Sequence, residues 1–167
     1  GYGIWVFVPY MPPTVQNNSV TNVDVGMGSF AGSFTTTVSP VFTNNTIDGQ
    51  SKPLSTGFYI TNTTWYWGVT NVATTFTGNI VKNNVDGIFV ESAAGYTLTF
   101  NATGNAIESN SSTGVLTGAV PAGYGNPGGL PGTLVVNLTQ NWWGNLSGPL
   151  NAGTNPSGSG NSIDNTL

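Results

Sequence analysis

The chain has 167 residues, with two Lys+Arg, six Asp+Glu, no His and no Cys; 5% of residues are charged and the formal charge is −4. Average domains carry roughly 25% charged residues, so this surface must be neutral and polar. Phosphate neutralisation needs clustered cations, which Lys52 and Lys82 cannot supply; disulfides, thiolate metal sites and His-based catalysis are excluded by absence.

Gly, Thr, Asn and Ser account for 24, 24, 21 and 14 residues, half of the chain. They are poor helix formers, and apolar periodicity of 3.6 residues is missing. Short β-branched and aromatic runs between Asn, Gly and Pro clusters predict an all-β domain. The opening Gly1-Tyr2-Gly3-Ile4-Trp5-Val6-Phe7-Val8-Pro9 lacks an initiator Met and the charged start of a signal peptide, so it reads as a mature or processed end. No apolar run reaches the ~18 residues of a membrane span.

Beyond this strand the chain repeats itself. Asn17-Asn18-Ser19-Val20, Asn44-Asn45-Thr46-Ile47, Gly78-Asn79-Ile80-Val81, Gly104-Asn105-Ala106-Ile107 and Gln140-Asn141-Trp142-Trp143 align. Asn18, Asn45, Asn79, Asn105 and Asn141 form one column, spaced by 27, 34, 26 and 36 residues. Val20, Ile47, Val81, Ile107 and Trp143 follow as an apolar column, then Gly26, Gly57, Gly87, Gly114 and Gly148. Strands precede each Asn block at Val6-Phe7-Val8, Val41-Phe42, Thr75-Phe76, Thr97–Phe100 and Leu134–Val136. A period of this size with about three short strands suits a solenoid whose turns stack ~4.8 Å apart. The Asn column is then a ladder at the corners, where αL-tolerant Asn is favoured and amides bond along the stack. Asp48, Lys82 and Glu108 fall in one column of successive repeats, placing a lysine between two carboxylates.

Gly118 to Gly132 reads as one long outward loop, with shorter excursions at Ala31–Pro40 and Gln50–Ser55. Residues 151–167, rich in Gly, Ser and Asn, read as a tail that lies against the last coil or is flexible.

The run Asn83-Asn84-Val85-Asp86-Gly87-Ile88-Phe89-Val90 resembles the right-handed parallel β-helix repeats of pectin-lyase-like and NosD-type secreted proteins. Asn141-Trp142-Trp143-Gly144-Asn145-Leu146-Ser147-Gly148-Pro149 is similar to the Asn-Tyr/Trp-Trp-Gly…Gly-Pro signature that often ends such helices, notably in archaeal surface proteins. The resemblance covers roughly residues 15–150. It implies an all-β, right-handed parallel β-helix of about five coils over residues 1–150. The alternative is a β-sandwich whose first strand is donated to the next subunit.

Polysaccharide-cleaving β-helices need clustered aspartates with His, Arg and Lys, or a Ca²⁺ site beside a catalytic Arg. Here Arg and His are absent, so the resemblance stops at the fold and no catalytic activity is expected. Asp86 and Glu91 share a coil as a conceivable carboxylate pair. Asp48 or Asp86 with Asn carbonyls would offer oxygen ligands to Ca²⁺. Turn chemistry explains these aspartates better, and no cofactor is expected.

Seven sequons, at Asn17, Asn44, Asn62, Asn101, Asn110, Asn137 and Asn145, are glycosylation candidates and point to a secreted, cell-surface protein. None is a ladder asparagine. With few ionisation equilibria coupled to unfolding, the fold should tolerate acid surroundings. Trp65-Tyr66-Trp67 fits core packing or subunit contact better than sugar stacking. The expected function is structural: a building block of a filament, sheath or surface layer, bound to copies of itself or to adjoining parts of a longer surface protein. Its subunit-contact candidates are Ile4, Trp5, Val6, Phe7 and Val8 at one end and Trp142 and Trp143 at the other. A carbohydrate-binding or adhesin module of a larger surface protein is the competing class.

Overall fold

A computed structural model describes residues 1–7, 12–30, 37–64, 68–122, 126 and 128–167. β1 (Tyr2–Phe7) comes first, and four complete turns follow, each laying down three strands in the same order. They are β2 (Thr14–Gln16), β3 (Ser19–Thr21) and β4 (Val25–Phe30), then β5 (Val41–Thr43), β6 (Thr46–Asp48) and β7 (Thr56–Thr61). A small hairpin, β8 (Thr63–Thr64) and β9 (Gly68–Val69), separates these from β10 (Val72–Thr77), β11 (Ile80–Lys82) and β12 (Asp86–Ser92). The fourth turn is β13 (Thr97–Thr103), β14 (Ala106–Glu108) and β15 (Thr113–Ala119), and β16 (Thr133–Asn137) begins a fifth.

Every turn visits the same three sheets. Sheet 1 runs β1-β4-β7-β12-β15, sheet 2 runs β2-β5-β10-β13-β16 and sheet 3 runs β3-β6-β11-β14, all paired in parallel. Residues one turn apart sit side by side, as in Val15↔Phe42, Phe42↔Phe76 and Phe76↔Ala102. The chain is a right-handed parallel β-helix, the hand that parallel crossovers favour. A donor-strand sandwich requires antiparallel hairpins between its main strands, and the hairpin β8–β9 is the one antiparallel strand pair among the described residues. The expected count of five coils corresponds to four full turns with partial turns at both ends.

Alternation along each short strand sends one row of side chains into the shaft. Val20, Ile47, Val81 and Ile107 stack on sheet 3, and Trp143 closes that column at 5% exposure. Phe42 and Phe76 from sheet 2 meet Phe58 from sheet 1 at ring separations of 4.8 and 4.6 Å, and all three are fully buried. Each buried Phe contributes about 1.5–3 kcal/mol through its apolar area.

A glycine column lets sheet 1 approach sheet 3. A Cβ added to Gly26, Gly57 or Gly87 would lie 2.6 Å from the glycine carbonyl of the next turn. Gly3 continues this column at the other end, whereas Gly148, expected in it, sits in the terminal loop with φ +79°.

The strand preceding Asn18 also differs from expectation. Val6 and Phe7 belong to sheet 1, opposite Ser29 and Phe30, and the sheet 2 strand of that turn is Thr14–Gln16. Residues 151–167 form no separate tail. Ile163 bridges Val115 as another rung of sheet 1, Asp164 N–H donates to the Val115 carbonyl, and Leu167 packs on the core. The loop expected from Gly118 begins after Ala119, and its buried Asn126 ties Val120 to Leu130 through Nδ2. No helix of the described residues is long and apolar enough to cross a membrane.

Candidate functional site

The corner between sheets 2 and 3 carries the asparagine ladder. Oδ1 of Asn45, Asn79, Asn105 and Asn141 each accepts both the backbone N–H and Nδ2 of the ladder residue one turn before, beginning with Asn18, at 2.8–3.1 Å. Asn79 and Asn105 also donate through Nδ2 to the carbonyls of Phe42 and Phe76. The left-handed conformation, expected at the ladder residues, falls one position earlier. Asn17, Asn44, Gly78, Gly104 and Gln140 have φ between 55° and 68°, turning the chain so that the next amide points along the axis. A second ladder, missed in the sequence, occupies the corner between sheets 3 and 1. Asn110 Oδ1 accepts from Asn84, and Asn161 Oδ1 accepts from Asn110, all at 3.1 Å.

Asp48, Lys82 and Glu108 do lie in one register column. The lysine pairs with Asp48 at 3.5 Å, while Glu108 accepts the Trp142 indole N–H at 2.8 Å. Burial alone would raise the Asp48 pKa, but hydrogen bonds from Asn83 and the Gln50 N–H, with Lys82 beside them, hold it below the usual carboxylate range.

Of the sequon asparagines, Asn17, Asn44, Asn137 and Asn145 are exposed and Asn101 is half-buried. Asn62 and Asn110 cannot carry a glycan in the folded chain. Asn62 is fully buried with Oδ1 accepting the Ala93 N–H, and Asn110 is 5% exposed within the second ladder.

The two ends of the shaft differ. At the N-terminal end β1, β2 and β3 each have one strand neighbour among the described residues, which leaves three outer edges open there. Ile4, Val6, Val15 and Val23 reach the core there but remain only partly buried. Trp5 and Phe7 point outward from sheet 1, and Val8 lies outside the described residues. At the other end Trp142 bridges Ala106, Ile163 bridges Val115, and the Leu150 carbonyl accepts the Ile163 N–H. Leu138 and Leu167 pack over the core, leaving β16 as the open edge among the described residues. Of the two tryptophans expected to meet a subunit, Trp143 is buried and unavailable because strand alternation turns it inward; Trp142 faces out at 41% exposure.

The outer face of sheet 1 holds the other distinctive arrangement. Phe30, Tyr59 and Phe89 from successive strands are in ring contact, and Trp5 stacks on Phe30 at 4.5 Å. Glu91 is buried among them and accepts a short hydrogen bond from the Tyr59 hydroxyl. Burial pushes the Glu91 pKa up, with the tyrosine offsetting part of the shift; burial and the neighbouring carboxylate together push the Tyr59 pKa far up. Asp86 shares β12 with Glu91, but no hydrogen bond among the described residues joins them. In the sequence Glu91 stands out only as a conceivable partner of Asp86, because its pairing with Tyr59 depends on strand register. Trp65, Tyr66 and Trp67 lie outside the described residues.

No protein-family model, no curated protein and no solved structure matches this chain.

Proposed function

We propose that the chain is a non-catalytic structural subunit of an extracellular assembly, a filament, sheath or surface layer, which associates through the N-terminal end of its β-helix. One observation carries this reading: among the described residues three parallel strands end as open edges over an incompletely covered apolar core, while the opposite end is closed over sheets 1 and 3. Open edges recruit further strands, and copies of the same chain are the partners proposed. β1 stands one rung above β2 and β3, so the partner must fit a step rather than a flat end.

The neutral surface supports a secreted setting, as do the sequons exposed at Asn17, Asn44, Asn137 and Asn145. The competing lectin reading rested on Trp65–Trp67 and gains no support from the described residues.

Sedimentation equilibrium over a hundredfold concentration range tests the proposal. Thr14 and Ser19 are exposed on the edge strands β2 and β3, so lysines there charge the open end without entering the core. Wild-type protein is expected to associate with concentration and the Thr14→Lys/Ser19→Lys variant to remain monomeric. A monomeric wild type, or association indifferent to the lysines, would contradict the reading.

A further inference from the structure

Glu91 is the one buried acid among the described residues, at 8% exposure. The chain contains no Arg or His. Its cations are engaged elsewhere: Lys52 with Asp24 at 2.9 Å, Lys82 with Asp48 at 3.5 Å, and the Gly1 amino group with Asp24. Tyr59 gives the Glu91 carboxylate a neutral donor but no counter-charge. A buried charge without a partner is costly, so this position rewards a cation brought from outside.

The walls specify which kind. Tyr2, Trp5, Phe30, Tyr59, Phe89 and Glu91 border an open cavity of about 310 Å³, near the lower end of the ~300–1,000 Å³ range of small-molecule sites. Trp5 and Phe30 are stacked at 29°, whereas Tyr2 and Trp5 are inclined at 63°, Phe30 and Tyr59 at 58°, and Tyr59 and Phe89 at 44°. The walls are thus rings set at differing angles, whereas a pyranose ring stacks best on a flat platform. Negative ring faces attract a cation, and the apolar walls cannot replace the hydration shell of a metal ion or a bare ammonium. An alkylated ammonium has no such shell to lose.

We propose that the outer face of sheet 1 is a binding site for a small organic cation, an alkylated ammonium group held in the aromatic-lined cavity against the Glu91 carboxylate. The site lies on a lateral face, so its failure would leave the end-association reading standing. Strand neighbours in register with Glu91 are Thr61 and Gly118, neither titratable. The titratable groups nearby are Tyr59 on β7 and Tyr2 on β1, with Asp86 at the far end of β12. A bound cation favours ionised Glu91, so affinity rises with pH and binding releases a proton.

The test is calorimetric titration of the full chain with tetramethylammonium chloride at constant ionic strength. One saturable site is expected, weakened about tenfold by Glu91→Gln and by Phe89→Leu, and unchanged by Asp48→Asn. Wild-type affinity should rise between pH 4 and pH 7, a readout that does not depend on any variant folding. Absence of saturable binding, equal affinity in Glu91→Gln, or an affinity flat with pH would overturn the assignment. So would binding of methyl glucoside in place of the cation.

Discussion

At the scale of single residues, stability rests on amides and carboxylates removed from water. Asn79 accepts from Asn45 and donates to Asn105 Oδ1 and the Phe42 carbonyl, all buried. Asn79→Ala leaves several partners unsatisfied and should cost about 3 kcal/mol, read from denaturant midpoints at unchanged slope. Glu91 makes a pH prediction of definite sign. Its folded pKa is raised, so its contribution is fully present below the unfolded carboxylate value and is lost as pH rises through the folded one. Glu91→Gln should therefore match wild type near pH 4 and melt a few degrees higher at pH 7. The first ladder was legible because its asparagines recur beside a constant apolar column. The second was not, because Ser55 bonds Val85 from the corresponding corner and Asn161 follows Asn110 only after 51 residues. Burial of Asn62 and Asn110 was hidden for a similar reason, since a sequon is read from three residues and burial from the whole turn.

At the scale of elements, the rungs depend on backbone approach as much as on apolar packing. Gly57 has no space for a side chain: an added Cβ would meet the Gly87 carbonyl at 2.6 Å and Val81 Cγ1 at 2.5 Å. Gly57→Ala should destabilise the fold by about 3 kcal/mol, whereas Gly95→Ala, with open space but a φ of +81°, should cost about 1 kcal/mol through backbone strain. Comparative thermal melts check both. Strand positions were readable from β-branched runs between turn residues. The phase of the first strand was not: Val6-Phe7 looks like Val41-Phe42 in isolation, and parallel pairing with Ser29 and Phe30 separates them. The terminal segment likewise reads as low-complexity tail, yet Ile163 enters sheet 1 and Asn161 enters a ladder.

At the scale of the whole molecule, sparse charge and an open end set behaviour. Asp48 and Asp164 have folded pKa values below normal; burial alone would raise both, but hydrogen bonds from Asn83 and Gln50 to one, and from Thr117 and Thr166 to the other, outweigh it. Hydrogen bonding from the Gly1 amino group, then from Lys52, lowers that of Asp24. Their contributions are present above the unfolded value of 3.8 and are lost only as pH falls through the lower folded values. Circular dichroism should accordingly show the β signal retained at pH 4 and declining only in stronger acid.

The decisive measurement is hydrogen–deuterium exchange of the same protein in dilute and concentrated solution. Concentration is expected to protect amides of Tyr2–Phe7 and Thr14–Thr21, the open N-terminal edges, while exchange of the Thr97–Glu108 rungs is unchanged. Protection confined to other segments, or none at any concentration, would contradict association through that end.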